Sequence, residues 1–183
     1  MPDCRGRHFF LSIAILLLGL AHWNPVFAQF KLSDVPLISK EDFQGPVPKK
    51  AKYGIMIQSK IFYKFDSVVR EGDQIRVRIK TRVEMQRDGS YWNHKKVKPK
   101  YDAQLLLHEQ GHFYVSHIVA NRLEAHIAKL RFSENYMQEV REKFSELQGK
   151  LYHQFSNYDK DTKHGMDADK QREWTGWLRR QFQ

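Results

Sequence analysis

The segment 102–131 constrains the fold more than any other part of the chain. It contains no proline and only one glycine, so it predicts a single long helix. Its apolar stretch holds two histidines four residues apart, His108 and His112, with Glu109 beside the first. Two imidazoles and a carboxylate are costly to bury unless something satisfies their polar atoms. The fold is therefore expected to bring a partner to this part of the helix.

A metal ion is the partner that this spacing favours. Residues four apart lie on one face of a helix, so His108 and His112 can both point at one ion, about 2.0–2.1 Å away for zinc. Glu109 sits about 100° round the helix axis, where it can act as a base toward water that the ion activates. This is the H-E-x-x-H pattern of zinc metalloproteases. The sequence therefore predicts two zinc ligands and a catalytic glutamate.

Two segments upstream alternate apolar and polar residues, at 53–65 and at 74–85. Such alternation is typical of half-buried antiparallel strands. The motif "REGD" at 70–73 predicts the turn that joins them, and "RDGSYW" at 87–92 predicts a second turn. The first half of the chain is therefore expected to form a small antiparallel sheet.

The remainder of the chain predicts helices. A second helix is expected over about 134–155, with Ser133 as its N-cap. Its apolar stripe consists of Met137, Val140, Phe144, Leu147, Leu151 and Phe155. A polar loop at 156–169 leads to a last amphipathic helix. Strands followed by helices predict an α+β, zincin-like domain over 53–183.

The antiparallel packing of two helices would supply the third protein ligand that a catalytic zinc needs. If the helices over 102–131 and 134–155 turn back on each other, equal rises per residue return Phe155 to the level of Gln110. The loop "NYDKDTKHG" at 157–165 then arrives beside the two histidines.

That loop offers several competent ligands, namely Asp159, Asp161 and His164. His164 is the first choice, because imidazole suits zinc and Gly165 lets the backbone pack closely around it. Asp159 is the second choice. Tyr158, in the same loop, could donate a hydrogen bond to a developing oxyanion.

Residues 1–28 predict a cleaved signal peptide. Two arginines precede an apolar run at 9–21, and "VFA" at 26–28 gives the small residues that a signal peptidase reads. The run is shorter than the roughly 20 residues of a spanning helix, so no stable membrane anchor is expected after cleavage. The protein is therefore predicted to be exported, either periplasmic or secreted, with residues 29–52 forming an extended arm.

Cysteine content and charge exclude several classes of function. Cys4 is the only cysteine and lies in the predicted signal peptide, so the mature chain has no disulfide, thiolate nucleophile or cysteine ligand. The formal net charge is +10, but only the segments 46–52 and 94–100 cluster their lysines. Scattered charge is typical of a solvated basic surface. No nucleic-acid partner is therefore expected.

Three motifs together resemble those of a known bacterial family. They are "LLLHEQGHF" at 105–113, "YDKDTKHG" at 158–165, and the pair Gln171 and Trp174. From about Tyr53 to the C-terminus the chain resembles a family that is catalogued as a domain of unknown function and predicted to contain secreted zinc-dependent proteases. One departure is Tyr114, where that family usually has an acidic residue.

The resemblance implies roles for individual residues. His108 and His112 would be metal ligands and Glu109 the base. A second conserved element of the site would consist of Asp159, Thr162 and His164. The leading prediction is thus an exported zinc metallopeptidase that acts on peptide or protein substrates.

Two further interpretations of the same residues remain open. The first is a cell-envelope amidase or glycan–peptide hydrolase that uses the same ion. The second is a non-catalytic binding module with a closed zinc site, for which His108, His112, Asp159 and His164 could supply four ligands. For the peptidase, the strand at 74–85 is predicted to align an extended peptide by strand addition, and its exposed basic side chains to favour acidic substrates.

Overall fold

The computed structural model describes residues 31–182, so the predicted signal peptide lies outside the described residues. The predicted α+β architecture is confirmed, because antiparallel strands come first and helices follow. The strands are β1 (Ile55–Met56), β2 (Ser59–Glu71), β3 (Gln74–Met85) and β4 (Tyr91–Trp92). The helices are α1 (Asp102–Ile127), α2 (Tyr136–His153), α3 (Tyr158–Asp161) and α4 (Ala168–Arg180). None of these helices is long and apolar enough to cross a membrane.

A long hairpin of β2 and β3 forms one two-stranded sheet. The predicted turn at its tip is confirmed, and Gly72 adopts a left-handed φ of 63° there, which favours glycine. The alternation holds along β3, whose buried residues are Ile75, Val77, Ile79 and Thr81. It fails in β2 beyond the bulge between Phe65 and Ser67, where nearly every side chain is exposed.

The single strand predicted at 53–65 is divided in the structure. Its first part is β1, which pairs with β4 in a second two-stranded sheet rather than continuing into the hairpin. Residues 57 and 58 separate it from β2. Ser90, just before β4, fixes this corner, because its hydroxyl accepts a hydrogen bond from the Gln58 amide at 2.9 Å.

The long helix α1 forms the centre of the core, and its residues Val119, Ala120, Leu123 and Ile127 are fully buried. It ends four residues earlier than predicted, because the chain turns so that Phe132 and Ile75 can exchange backbone hydrogen bonds of 2.8 and 2.9 Å. The buried Glu124 carboxylate accepts hydrogen bonds from the Thr81 amide and hydroxyl at 2.6 and 2.7 Å. These contacts fix α1 against β3.

Helix α2 runs back along α1, as predicted. Near its C-terminal end, the Tyr152 hydroxyl donates to Ser116 Oγ at 3.0 Å. The predicted stripe is buried at Val140, Phe144, Leu151 and Phe155 and half-buried at Leu147. The inclusion of Met137 was wrong, because its side chain is 61% exposed.

The predicted N-cap of α2 was also wrong. The cap residue is Asn135, and the Ser133 amide and hydroxyl instead donate to the Glu139 carboxylate, the amide at 3.0 Å.

The segment 31–52 lies against the N-terminal half of α1 with little regular structure. The Ile38 amide donates to Gln110 Oε1 at 2.8 Å, and Gln110 Nε2 donates to the Pro36 carbonyl at 3.1 Å. Val35, Ile38 and Phe43 are buried in the core. The part of the segment from Val35 to Phe43 is therefore packed against the domain, whereas residues 46–50 are exposed.

Candidate metal centre

Three donor atoms from two helices meet at one point. The Nε2 atoms of His108 and His112 lie 3.0 and 2.9 Å from Asp159 Oδ1, and 3.2 Å from each other. A tetrahedral ion with bonds of about 2.0–2.1 Å holds its donors roughly 3.3 Å apart. The three atoms therefore need to move by only a few tenths of an ångström to hold an ion of this size. The group is a candidate metal centre.

Two different elements build this group. Helix α1 places the two imidazoles one turn apart, and Asp159 lies on the one-turn helix α3, which follows α2. Only 3% of the His108 side chain is exposed, against 32% for His112 and 45% for Asp159. The centre is thus enclosed behind His108 and open to solvent on the side of the other two residues.

A buried hydrogen-bond network orients His108. The Tyr158 hydroxyl donates to the His108 carbonyl at 3.0 Å, so it can accept the bond from Gln171 Nε2 at 2.8 Å. That arrangement turns Gln171 Oε1 toward His108 Nδ1, 3.0 Å away. Nδ1 therefore keeps a proton, and Nε2, which faces Asp159 and His112, can give up its own proton to bind a metal ion. The tautomer with its proton on Nδ1 is the one that a metal ligand requires here.

Gln171 is accordingly a positioning residue for the first histidine. Replacing it with leucine should weaken zinc binding by about 10–100-fold, which is the usual effect of removing a residue that hydrogen-bonds to a metal-binding histidine. Replacing it with glutamate, which keeps an acceptor toward Nδ1, should preserve most of the affinity. Zinc titration against a chromophoric chelator measures both variants. Equal affinities for the leucine variant and the wild type would contradict this role.

Two glycines allow the backbone to approach closely here. A Cβ atom on Gly111 would overlap the Tyr158 hydroxyl, so any larger residue would displace the start of α3. A Cβ on Gly165 would lie 2.7 Å from His108 Cβ, and Gly165 also has a left-handed φ of 79°. Both glycines therefore contribute to seating the loop that carries Asp159.

Glu109 is buried beside the three donors, with 6% of its surface exposed. Burial raises the pKa of its carboxyl to about 7 and the charge of Asp159 adds to this effect, while His108 and a backbone hydrogen bond from Ile57 oppose it. A carboxyl with such a pKa can exchange a proton near neutral pH.

The pKa of the Asp159 carboxyl is shifted in the opposite direction to that of Glu109. Burial alone would raise its pKa, but hydrogen bonds from His108 and His112 outweigh that effect and hold the pKa far below its usual range. Asp159 is therefore an anion, which is the form that binds a metal.

The other residues predicted from the loop lie around this group. His164 has its ring about half exposed and its Nδ1 atom 3.7 Å from Asp159 Oδ1, outside the group of three donors. The Thr162 hydroxyl is buried behind His108 and donates to the Tyr158 carbonyl at 2.7 Å. Asp161 accepts a hydrogen bond from Trp174 Nε1 instead. The geometry thus favours Asp159 over His164 as the third donor.

Tyr158 packs behind His108 and does not line the open side of the centre. Its ring stacks on the His108 imidazole, with centroids 4.7 Å apart, and only 1% of its surface is exposed. Burial raises the pKa of its hydroxyl above the usual range. This placement does not favour the oxyanion-donating role considered for it.

The donors and Glu109 line a cleft of about 970 Å³. One wall of the cleft is the continuous segment 53–60, which includes β1. The strand at 74–85, which the sequence suggested for peptide alignment, does not line it. Sequence reasoning missed the wall at 53–60 because alternation identifies a strand without indicating which sites border its edge.

The fold and site thus define an α+β protein with a candidate His–His–Asp metal centre in a cleft. Residues 42–165 match the model of the family described as "Bacterial protein of unknown function (DUF922)", and the chain belongs to that family. The match includes all three donors and Glu109 but ends before Gln171. Comparison with curated proteins and with solved structures gives no significant match.

Proposed function

We propose that the protein is an exported, zincin-like, zinc-dependent metallopeptidase. One observation supports this most strongly: His108, His112 and Asp159 converge in an open cleft, with the buried Glu109 beside them. Two imidazoles and one carboxylate suit zinc. Export is supported by the signal-peptide pattern of residues 1–28.

The openness of the centre favours a catalytic role over a structural one. Structural zinc sites are closed by four protein ligands, whereas catalytic sites have three and an open position. The exposed flanks of His112 and Asp159 leave such a position on the cleft side. This argues against the non-catalytic module considered from the sequence.

Each residue of the site has a distinct task. A bound zinc ion would supply Lewis acidity, polarising the peptide carbonyl and lowering the pKa of water to about 7. Glu109 takes the proton of the attacking water and returns it to the leaving amine, and burial of its carboxyl favours its holding that proton between the two transfers. The Ile57 amide keeps the Glu109 carboxylate at the wall of the cleft.

The wall of the cleft suits an extended peptide. Within residues 31–182, β1 has a strand partner only in β4, and the segment containing β1 borders the cleft. An extended substrate can add to such a free edge through main-chain hydrogen bonds. We therefore assign peptide alignment to β1 rather than to the strand at 74–85.

Metal removal tests this proposal. The purified protein should hydrolyse an unstructured casein-like substrate, lose that activity on dialysis against a strong chelator, and regain it with stoichiometric zinc. Mass spectrometry of the products measures the cleavage. A serine protease treated in parallel controls for effects of the chelator on the substrate. Hydrolysis that persists in metal-free protein would contradict the proposal.

A further inference from the structure

The two lysine clusters of the sequence, 46–52 and 94–100, come together at the rim of the cleft. Lys96 Nζ donates to the Ala51 carbonyl at 2.7 Å, and the Asn93 amide donates to the Gly54 carbonyl at 2.8 Å. The two segments in which the sequence clusters its lysines therefore lie together beside the metal centre.

The lining of the cleft is strongly unbalanced in charge. It includes five lysines, namely Lys52, Lys60, Lys96, Lys98 and Lys163. Among residues 31–182, the only acidic residues that line it are Glu109 and Asp159, which belong to the centre itself. A divalent ion would offset those two charges and leave the lysines to set the potential of the cleft.

Most of these lysines carry a charge that no acidic side chain of residues 31–182 neutralises. Lys163 is paired with Asp167 at 3.1 Å. Within residues 31–182, no salt bridge neutralises the other four, all of which are exposed. Lys52 and Lys98 extend the positive rim beyond the centre itself, on the two segments that the Lys96–Ala51 hydrogen bond joins. A bound chain that passes the centre would therefore meet positive charge beside its reacting bond.

We infer that the cleft selects acidic peptides, with aspartate or glutamate residues flanking the bond to be cleaved. The inference rests on the proposed peptidase function for the nature of the ligand. The free edge of β1 favours a peptide over another polyanion, because it offers main-chain groups to an extended chain. The lysines then discriminate among peptides by charge.

Binding to the Glu109→Gln variant loaded with zinc tests this inference without hydrolysis. Two fluorescent peptides are compared, one rich in aspartate and glutamate and the other with asparagine and glutamine at the same positions. The acidic peptide should bind about tenfold more tightly at low ionic strength, and the advantage should shrink as salt screens the charges.

The chain offers a matched pair of charge reversals in this background. Lys52→Glu with Lys98→Glu alters the rim of the cleft, whereas Lys50→Glu with Lys95→Glu makes the same change at exposed neighbours that do not line it. Lys96 is left unchanged because its Nζ atom donates a hydrogen bond to the Ala51 carbonyl. The first pair should abolish the preference for the acidic peptide, and the second should preserve most of it.

Three outcomes would overturn the inference: no preference in the parent variant, an equal loss in both charge-reversed variants, or stronger competition by a single-stranded oligonucleotide of equal charge. The wild-type protein is assayed for cleavage of both peptides in parallel. A clear binding preference without any cleavage would contradict the peptidase function and leave the charge selectivity supported.

Discussion

Replacing Glu109 with glutamine is expected to reduce kcat/KM for peptide hydrolysis by about 10²–10⁴-fold, while leaving zinc content unchanged. Glutamine has the same shape and can still accept the hydrogen bond from the Ile57 amide at the wall of the cleft. It cannot take a proton from water or return one to the leaving amine. The loss should therefore appear in the chemical step rather than in folding or metal binding.

Steady-state kinetics, zinc analysis and thermal unfolding together measure this prediction. Glu142→Gln, which removes an exposed carboxylate from α2, serves as the matched control and should behave like the wild type. Undiminished cleavage by a zinc-loaded Glu109→Gln protein would exclude this residue as the base. If the Glu109→Gln protein had instead lost its zinc, the result would indicate that Glu109 helps to hold the ion.

Replacing Asp159 with alanine is expected to weaken zinc binding more than about 100-fold. This is a larger effect than that of losing a residue that only hydrogen-bonds to a metal ligand. Its Oδ1 atom lies within 3.0 Å of both imidazole Nε2 atoms, and hydrogen bonds from those imidazoles keep the carboxylate ionised. Replacing His164 should change zinc affinity only a few-fold, because its ring lies outside the group of donors.

Asp161→Ala provides the matched control for this experiment. It removes a carboxylate from the same one-turn helix, but one that bonds to Trp174 instead of facing the histidines. Competition with a chromophoric chelator gives the affinity of each variant. Zinc binding that survives in Asp159→Ala but is lost in His164→Ala would restore the ligand set first predicted from the sequence.

Much of the framework was predictable because its periodicity is strong. The strand Gln74–Met85 was predicted at its observed bounds, since one face is buried along the hairpin. The helix with the two histidines was predicted to within four residues. The prediction that α1 and α2 pack antiparallel also identified the loop that reaches the histidines. This worked because both helices have the same rise per residue, so positions equally distant from the turn lie side by side.

The details of the site were less predictable, because they depend on single backbone conformations and distant contacts. Lys163 and His164 adopt left-handed φ values of 50° and 54°, and the His164 ring lies outside the donor group. No periodic pattern encodes that turn. Gln171 reaches His108 from α4, across 63 positions of sequence. The family resemblance included Gln171 in a motif, but its position in an amphipathic helix does not indicate that its side chain reaches His108.

Crystals of the mature protein grown with zinc, with anomalous scattering recorded at the zinc edge, test the central claim most directly. A single strong peak is expected between the Nε2 atoms of His108 and His112 and the carboxylate of Asp159, with Gln171 bonded to the far nitrogen of His108. Imidazoles that diverge with no peak between them, or a peak only at another place in the domain, would contradict the account.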